Sequence, residues 1–350
     1  MTSAFDLFER GLLPAFLMKA FIRRVTAASL RKFRAAPVEK RAAYHAALVR
    51  KLKRSPVAVH VDTANVQHYE LPPEFFQTVL GKRMKYSCCY WPSGVRALDE
   101  SEERMLDLTC RRAQVEDGQT ILDLGCGWGS LALWIAQRYP KCDVTAVSNS
   151  RLQRDYIREE CGRLGISNVE VITADAAEFT TKRRFDRVIS IEMFEHIKNY
   201  DRLMEKIAGF LVPDGMLFVH IFCHREVAFE YLKQGPNRWM AEHFFTGGNM
   251  PSFDLILHFQ RDLHLVRSWA VSGTHYRRTL KAWRKKLEAN KPALRALFGR
   301  IYGLENGRLW YNRWRLFFLV CEVNFGFRGG DEYFVAHYLF HKPPAQDRHG

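Results

Sequence analysis

Three titratable side chains, Glu192, Glu195 and His196, fall within five residues of one another. That density suits acid–base work at a reacting centre, although a capping or surface pair would look the same. They follow the apolar run 187–191, which has strand length, so the group would stand at the end of a strand. A second constellation is Ile121-Leu122-Asp123-Leu124 running into Gly125, Gly127 and Gly129. Glycines at such a turn allow positive φ and let the backbone come close to a ligand. Their Gly-x-Gly-x-Gly spacing lacks the third glycine of the dinucleotide fingerprint, which argues against a nicotinamide cofactor. Asp175 follows the run 169–173, where a ligand-facing carboxylate and a turn or helix cap are both open readings. Cys88-Cys89 and His220-x-x-Cys223-His224 offer soft ligands. Adjacent cysteines lack the spacing of a zinc chelate, and no metal is expected.

These groups need a scaffold, and the chain between about 100 and 222 supplies one. Apolar runs at 120–124, 143–148, 169–173, 187–191 and 216–221 alternate with helix-like segments such as 131–138, 151–164 and 200–211. Strands joined by crossover helices predict an α/β fold with a mostly parallel, doubly wound sheet. Its ligand should sit beyond the carboxyl ends of the strands. Residues 225–330 break the rhythm, with Trp239, Phe244, Phe245, Trp269, Trp283, Trp310 and Trp314 in longer helix-like or irregular stretches. This block is expected to be an insertion over the strand ends that shapes a substrate pocket, after which 333–340 closes the sheet. The expected division is a basic helical cap over 1–60, a ligand-binding core over 61–225, the pocket insertion over 226–330 and a closing strand over 331–342.

Of the 350 residues, 47% are hydrophobic and 26% charged, which excludes disordered and collagen-like classes. No uninterrupted apolar run reaches spanning length, so a bilayer-crossing helix is not expected. Eight cysteines in a long chain without a recognisable secretory leader point to a reduced, cytoplasmic setting. The net charge is +15, and residues 1–60 hold thirteen Lys/Arg against three acids, a net of +10. Within that segment Phe5, Phe8, Leu12, Leu13, Phe16, Leu17, Phe21 and Ile22 recur at helical spacing. The stripe reads either as a cap packed on the core or, over residues 1–55, as a helix lying on an anionic membrane surface. No nucleic-acid motif accompanies the charge, so nucleic acid is not an expected partner. Oligomeric state is not legible.

The segments His68-Tyr69-Glu70-Leu71-Pro72, Tyr86-Ser87-Cys88-Cys89-Tyr90, the glycine turn, Asn149-Ser150 with Gln153, Ile191-Glu192-Met193-Phe194-Glu195-His196 and His275-Tyr276 together resemble the cyclopropane fatty acid synthase superfamily of S-adenosylmethionine-dependent methyltransferases. The resemblance spans roughly 65–342. Segments 218–224 and 244–252 resemble its coclaurine N-methyltransferase-like branch. It implies a class I, Rossmann-like methyltransferase fold with S-adenosyl-L-methionine as methyl donor. It also implies that Tyr86 and Ser87 lie over that cofactor and that Gly125, Gly127 and Gly129 lie beside its methionine portion, next to Asp123. Asn149 and Gln153 would serve the ribose and adenine, with Asp175 and Ala176 at the adenine edge. The branch lacks the usual acid after the second strand, as here, where the strand ends Val147-Ser148-Asn149. Glu192, Glu195 and His196 would belong to the acceptor site. In the cyclopropane synthases the positions of Cys88, Glu195, His220 and Tyr276 surround a bicarbonate. Cys321 matches a cysteine often proposed as catalytic there, although methyl transfer needs no protein nucleophile.

Two enzymatic readings follow from the resemblance. In the first, a methyl group moves in line to the nitrogen of a small-molecule amine, and a Glu/His base removes the proton. A Lys-like amine is only about one part in a thousand neutral at pH 7, a deficit of about 4 kcal/mol that the base must offset. In the second, an unsaturated lipid acyl chain is methylated or cyclopropanated with bicarbonate as base, and the basic N-terminus holds the enzyme at the membrane. A noncatalytic cofactor-binding partner protein is the alternative of another class.

Overall fold

The structure, a computed structural model, describes residues 3–58 and 71–343; His68, Tyr69 and Glu70 of the first motif lie outside the described residues. The strands are β1 (Thr120–Leu124), β2 (Asp143–Ser148), β3 (Val169–Thr173), β4 (Phe185–Ile191), β5 (Leu211–His224), β6 (Phe229–Glu230), β7 (Asn249–Met250), β8 (His264–Val271) and β9 (Tyr333–His341). Seven of them form one sheet in the order β3-β2-β1-β4-β5-β9-β8, and β6 pairs with β7 in a separate ribbon. Strands β1 to β5 run parallel. β9 is antiparallel to both of its neighbours. The inner parallel strands are covered on both faces, which is why Ile121, Leu122, Val144, Ala146 and Val188 are fully buried and read as continuous apolar runs.

Three expectations about the sheet need correction. The segment 331–342 does not close it, because β9 is an inner strand and the edge is β8. The block 226–330 is therefore not only a cover over the strand ends, since it also contributes that edge strand. β8 has one neighbour and mostly exposed or half-buried side chains. Its apolar residues are split by Arg267 and Ser268, so they do not read as one run. β5 is also longer than 216–221, starting at Leu211, where the preceding helix Tyr200–Phe210 ends.

The helices Gly273–Ala289, Lys291–Tyr302 and Gly307–Phe325 form an aromatic layer. Trp283, Trp314, Phe317 and Phe318 pack there with Phe75, Phe76 and Trp128 in one continuous core. The N-terminal helices Ala4–Glu9, Ala15–Arg34 and Val38–Arg54 divide the apolar stripe of the sequence. Phe8 and Ile22 are buried, while Leu12, Phe16 and Leu17 remain 67%, 70% and 45% exposed. Part of the basic charge is tied to the body of the protein: Lys19 pairs with Glu322 at 2.8 Å and Arg34 with Glu332 at 2.7 Å. Lys51 and Lys53 reach Glu230 and Asp201. Among the described residues no helix is long and apolar enough to cross a membrane.

Candidate active site

The sheet order reverses between β1 and β4, and in doubly wound sheets the ligand crevice opens at such a switch point. A cavity lies there, lined by the ends of β1, β2 and β4 and by the segment 84–87. Tyr86, Ser87, Asp123, Gly125, Gly127, Asn149, Gln153, Asp175 and Ala176 all line it. Gly129 does not. Its φ is 75°, and a Cβ there would stand 2.6 Å from Ile157 Cγ1, so this glycine serves the packing of the turn on the helix Arg151–Leu164. Gly127, at φ 53°, has nothing within 4 Å of where its Cβ would be. A side chain there would adopt a disfavoured backbone and enter the ligand space.

Several polar atoms of this cavity's lining are buried without a partner among the described residues. Asp123 Oδ2 and Gln153 Nε2 are two of them, and a buried polar group without a partner costs about 1–3 kcal/mol. Gln153 is held in place because its Oε1 accepts from Ser148 Oγ at 2.6 Å and its own amide N–H caps onto Ser150 Oγ at 3.4 Å. Burial pushes the Asp123 carboxyl up to about 7, against the Ala132 amide and Lys85, which favour its charge. Asp175 combines both open readings: its Oδ1 accepts from the Ala177 amide at 2.8 Å, and it also lines the cavity.

A second cavity, walled by Phe222, Tyr231, Phe245, Trp283 and Phe317, adjoins the first, and Tyr86, Glu192 and His196 line both. Glu195, Tyr276 and Cys321 line only the second. Glu192 follows β4 with φ 48°, a conformation that a non-glycine residue holds at a cost of about 1–3 kcal/mol. Its carboxylate is surrounded by donors. Oε1 accepts from the Cys88 backbone N–H at 3.0 Å and from His220 Nε2 at 3.2 Å, and Oε2 accepts from Tyr276 Oη at 2.5 Å. Cys88 and His220 line neither cavity and reach the site through those bonds. The Cys88 thiol turns instead to the Cys89 carbonyl at 3.3 Å.

Burial raises the Glu192 carboxyl, opposed by Tyr276, the Cys88 amide, Lys85 and His196. Burial and then the charge of Glu192 lift Glu195 well above the ordinary carboxylate range, and its Oε2 has no partner among the described residues. Glu192, with three donors on its carboxylate, is thus the member of the pair favoured to ionise, and Glu195 the one favoured to keep its proton. Burial lowers His196 to about 4, with Glu192 opposing, which leaves a neutral imidazole at pH 7. The same ring lies parallel to Phe245 at 5.8 Å. Burial and Glu192 raise Cys321, whose thiol stays protonated as part of the wall. Sequence reasoning missed Lys85, a fully buried cation beside Ser87, and Thr246 and Gly247 in the first cavity. It also missed His337, whose ring bonds to His220. Thr246 and Gly247 lie within the segment 244–252 that carries the resemblance, and Lys85 directly precedes the segment 86–90, so these three had a signal; His337 had none.

A family model described as mycolic acid cyclopropane synthetase matches residues 59–332. The chain belongs to that family. One curated relative, (S)-coclaurine N-methyltransferase of Thalictrum flavum subsp. glaucum, is 38% identical over 338 residues, covering 95% of this chain and 94% of its own. The cyclopropane-fatty-acyl-phospholipid synthase of Escherichia coli is more distant, 30% identical over 230 residues, covering 65% of this chain and 57% of its own. Among solved structures, coclaurine N-methyltransferase bound to N-methylheliamine and S-adenosylhomocysteine (SAH) superposes with a TM-score of 0.93 at 39% identity, over 97% of this chain and 98% of that one. Within the family, this chain is an S-adenosylmethionine-dependent methyltransferase of class I fold, with S-adenosylmethionine as its methyl donor.

Proposed function

We propose that this chain N-methylates a small, largely apolar amine. The observation that carries the reading is the junction of the two cavities at Tyr86, Glu192 and His196, where Glu192 itself accepts from Cys88, His220 and Tyr276. Those are three of the positions that the resemblance gives to a bicarbonate. With its own carboxylate in their grasp, the site offers a fixed anion to an ammonium group and leaves that slot no donors for a free one.

S-Adenosylmethionine supplies an electrophilic methyl on a sulfonium. Asp123 offers a carboxylate to the ammonium of its methionine portion, Gln153 and Asn149 offer amides to its ribose and adenine, and Asp175 and Ala176 border the adenine. Gly127 leaves the backbone open beside it, Gly125 makes room for the Met193 side chain, and Tyr86 and Ser87 cover it. In the second cavity the incoming ammonium pairs with ionised Glu192. Glu192 then takes the ammonium's proton, with Glu195 beside it favoured to stay neutral, and neutral His196 accepts a hydrogen bond from the freed amine. Coupled carboxyls of this kind titrate as a pair. The aromatic walls of Phe222, Tyr231, Phe245 and Phe317 favour an acceptor with a ring system.

The eight cysteines are all unpaired, which supports a reducing, cytoplasmic setting. Exposed Leu12, Phe16 and Leu17 together with exposed Arg23 and Arg24 support peripheral contact of the N-terminal helices with anionic lipid. The test of the main proposal is incubation of the full-length protein with S-adenosylmethionine and either coclaurine or vesicles of monounsaturated phosphatidylethanolamine. An N-methylated amine with unaltered acyl chains is expected. Acyl modification with no amine product would overturn the proposal.

A further inference from the structure

Behind Glu192 runs a single file of polar groups, His220, His337 and the half-buried Arg112, of which only His220 falls in a motif. Arg112 closes the helix Leu98–Arg112 and stacks its guanidinium over Trp269 of β8 at 4.9 Å. Its Nη1 lies 2.8 Å from His337 Nδ1. His337 on β9 and His220 on β5 are direct cross-strand partners, joined Nε2 to Nδ1 at 2.9 Å. His220 Nε2 then meets Glu192 Oε1. Both imidazoles are fully buried.

Arginine can only donate, so His337 Nδ1 is a lone pair, and a neutral imidazole then carries its proton on Nε2. That N–H can only donate to His220 Nδ1, which leaves the His220 proton on Nε2, facing Glu192. The arginine at one end and the Glu192 carboxylate at the other therefore agree on a single direction for three successive hydrogen bonds. Reversing any of them would oppose two donors at Arg112 or two lone pairs at Glu192. Burial and the neighbouring cations Lys85 and Arg112 keep both rings unprotonated, in keeping with the assigned tautomers. The groups facing Glu192 itself are Tyr276, Cys88, Lys85, His196, Glu195 and Cys321. Of the donors on its carboxylate, His220 alone has a direction that depends on a tautomer.

We infer that Arg112 and His337 are positioning residues for methyl transfer: they fix the tautomer of His220, so that its N–H holds the Glu192 carboxylate ionised and aimed at the junction of the two cavities. The inference rests on the proposed role of Glu192 as the anion that receives the amine.

Long-range proton–nitrogen spectra of the full-length protein, labelled with nitrogen-15 at histidine and bound to SAH, read the tautomers without any acceptor. His220 and His337, assigned by His220→Gln and His337→Gln, should both be Nε2–H forms from pH 6 to 9. Arg112→Met, at a half-buried site, should release them into mixed tautomers. Methylation of coclaurine by Arg112→Met should show an acid limb of kcat/KM displaced upward by about half to one pH unit, a loss of about three- to tenfold on that limb, with SAH affinity unchanged. Arg112→Lys and His337→Gln keep a donor in each place and should recover most of the loss, whereas His337→Leu should not. An Nδ1–H form of His220 in the wild type, or a wild-type pH profile in both Arg112→Met and His337→Leu, would overturn the inference. If Glu192→Gln also keeps full turnover, the amine reading fails with it; if Glu192→Gln is impaired, only the relay is refuted.

Discussion

Replacing Glu192 by glutamine tests the site with little steric change. The glutamine oxygen can stay with the Cys88 amide and His220, at the 3.0 and 3.2 Å now held by Oε1. Its NH2 group would face the Tyr276 hydroxyl, now 2.5 Å from Oε2, and that hydroxyl can rotate to accept. The fold and the first cavity should therefore persist. What disappears is the buried charge. A hydrogen bond to a charged group contributes about 1.5–3 kcal/mol, and a positioned base contributes about 10²–10⁴ in rate. Glu192→Gln should thus lower kcat/KM for an amine by at least about 10². SAH affinity, read by calorimetry, should stay within about threefold, a change below 1 kcal/mol. Because the Glu192 charge helps to hold Glu195 up, its removal should let Glu195 ionise at lower pH. The residual activity should keep an acid limb, displaced downward. A kcat/KM within threefold of wild type, or a parallel loss of SAH affinity, would refute the assignment.

Other consequences are as direct. Asp123→Asn should weaken SAH binding by about ten- to hundredfold, about 1.4–2.8 kcal/mol, while leaving the ligand-free Tm unchanged or higher, because the carboxyl now sits buried at about 7; unchanged affinity by calorimetry would remove Asp123 from the cofactor site. His196 and His275 are both lowered to about 4, by burial first. Their folded values lie below the unfolded one, so the folded state binds fewer protons and stability must fall as pH drops from about 6.5 to 4. Denaturant midpoints in His196→Gln should show a shallower fall across that window, and an identical slope would contradict the assignment. Glu195 is raised, so its burial costs stability as pH climbs above its unfolded value. Glu195→Gln should accordingly raise Tm at pH 8 more than at pH 5; equal shifts at the two pH values would count against a raised Glu195. At the N-terminus, wild type should sediment with anionic vesicles at low salt, and Phe16→Ser with Leu17→Ser should release it; equal pelleting of wild type and variant would show that the exposed patch is not the contact.

Most of the parallel sheet was legible because buried parallel strands are unbroken apolar runs, and the glycine turn and Glu192-Met193-Phe194-Glu195-His196 are contiguous in the chain. Strand β8 was not, since an edge strand with one neighbour carries Arg267 and Ser268 without penalty. The site was legible as a roster but not as a hierarchy. Sequence placed Glu192, Glu195 and His196 together, but could not show that Glu192 takes the donors of Cys88, His220 and Tyr276, which converge from separate parts of the chain. Cys88 acts through its backbone, which no residue type reveals. Nor could any local pattern pair His337 with His220, because a cross-strand partner 117 residues away is fixed by the register of β5 and β9.

The central claim is that an intact methyl group passes to nitrogen. Supplying the full-length protein with S-adenosylmethionine carrying a trideuterated methyl, together with coclaurine and unsaturated phospholipid vesicles, and weighing both acceptors by mass spectrometry tests it most directly. The amine should gain a methyl that retains all three deuterons while the lipid stays unlabelled. A lipid product retaining two deuterons, the mark of ring closure after proton loss, with no labelled amine, would contradict it.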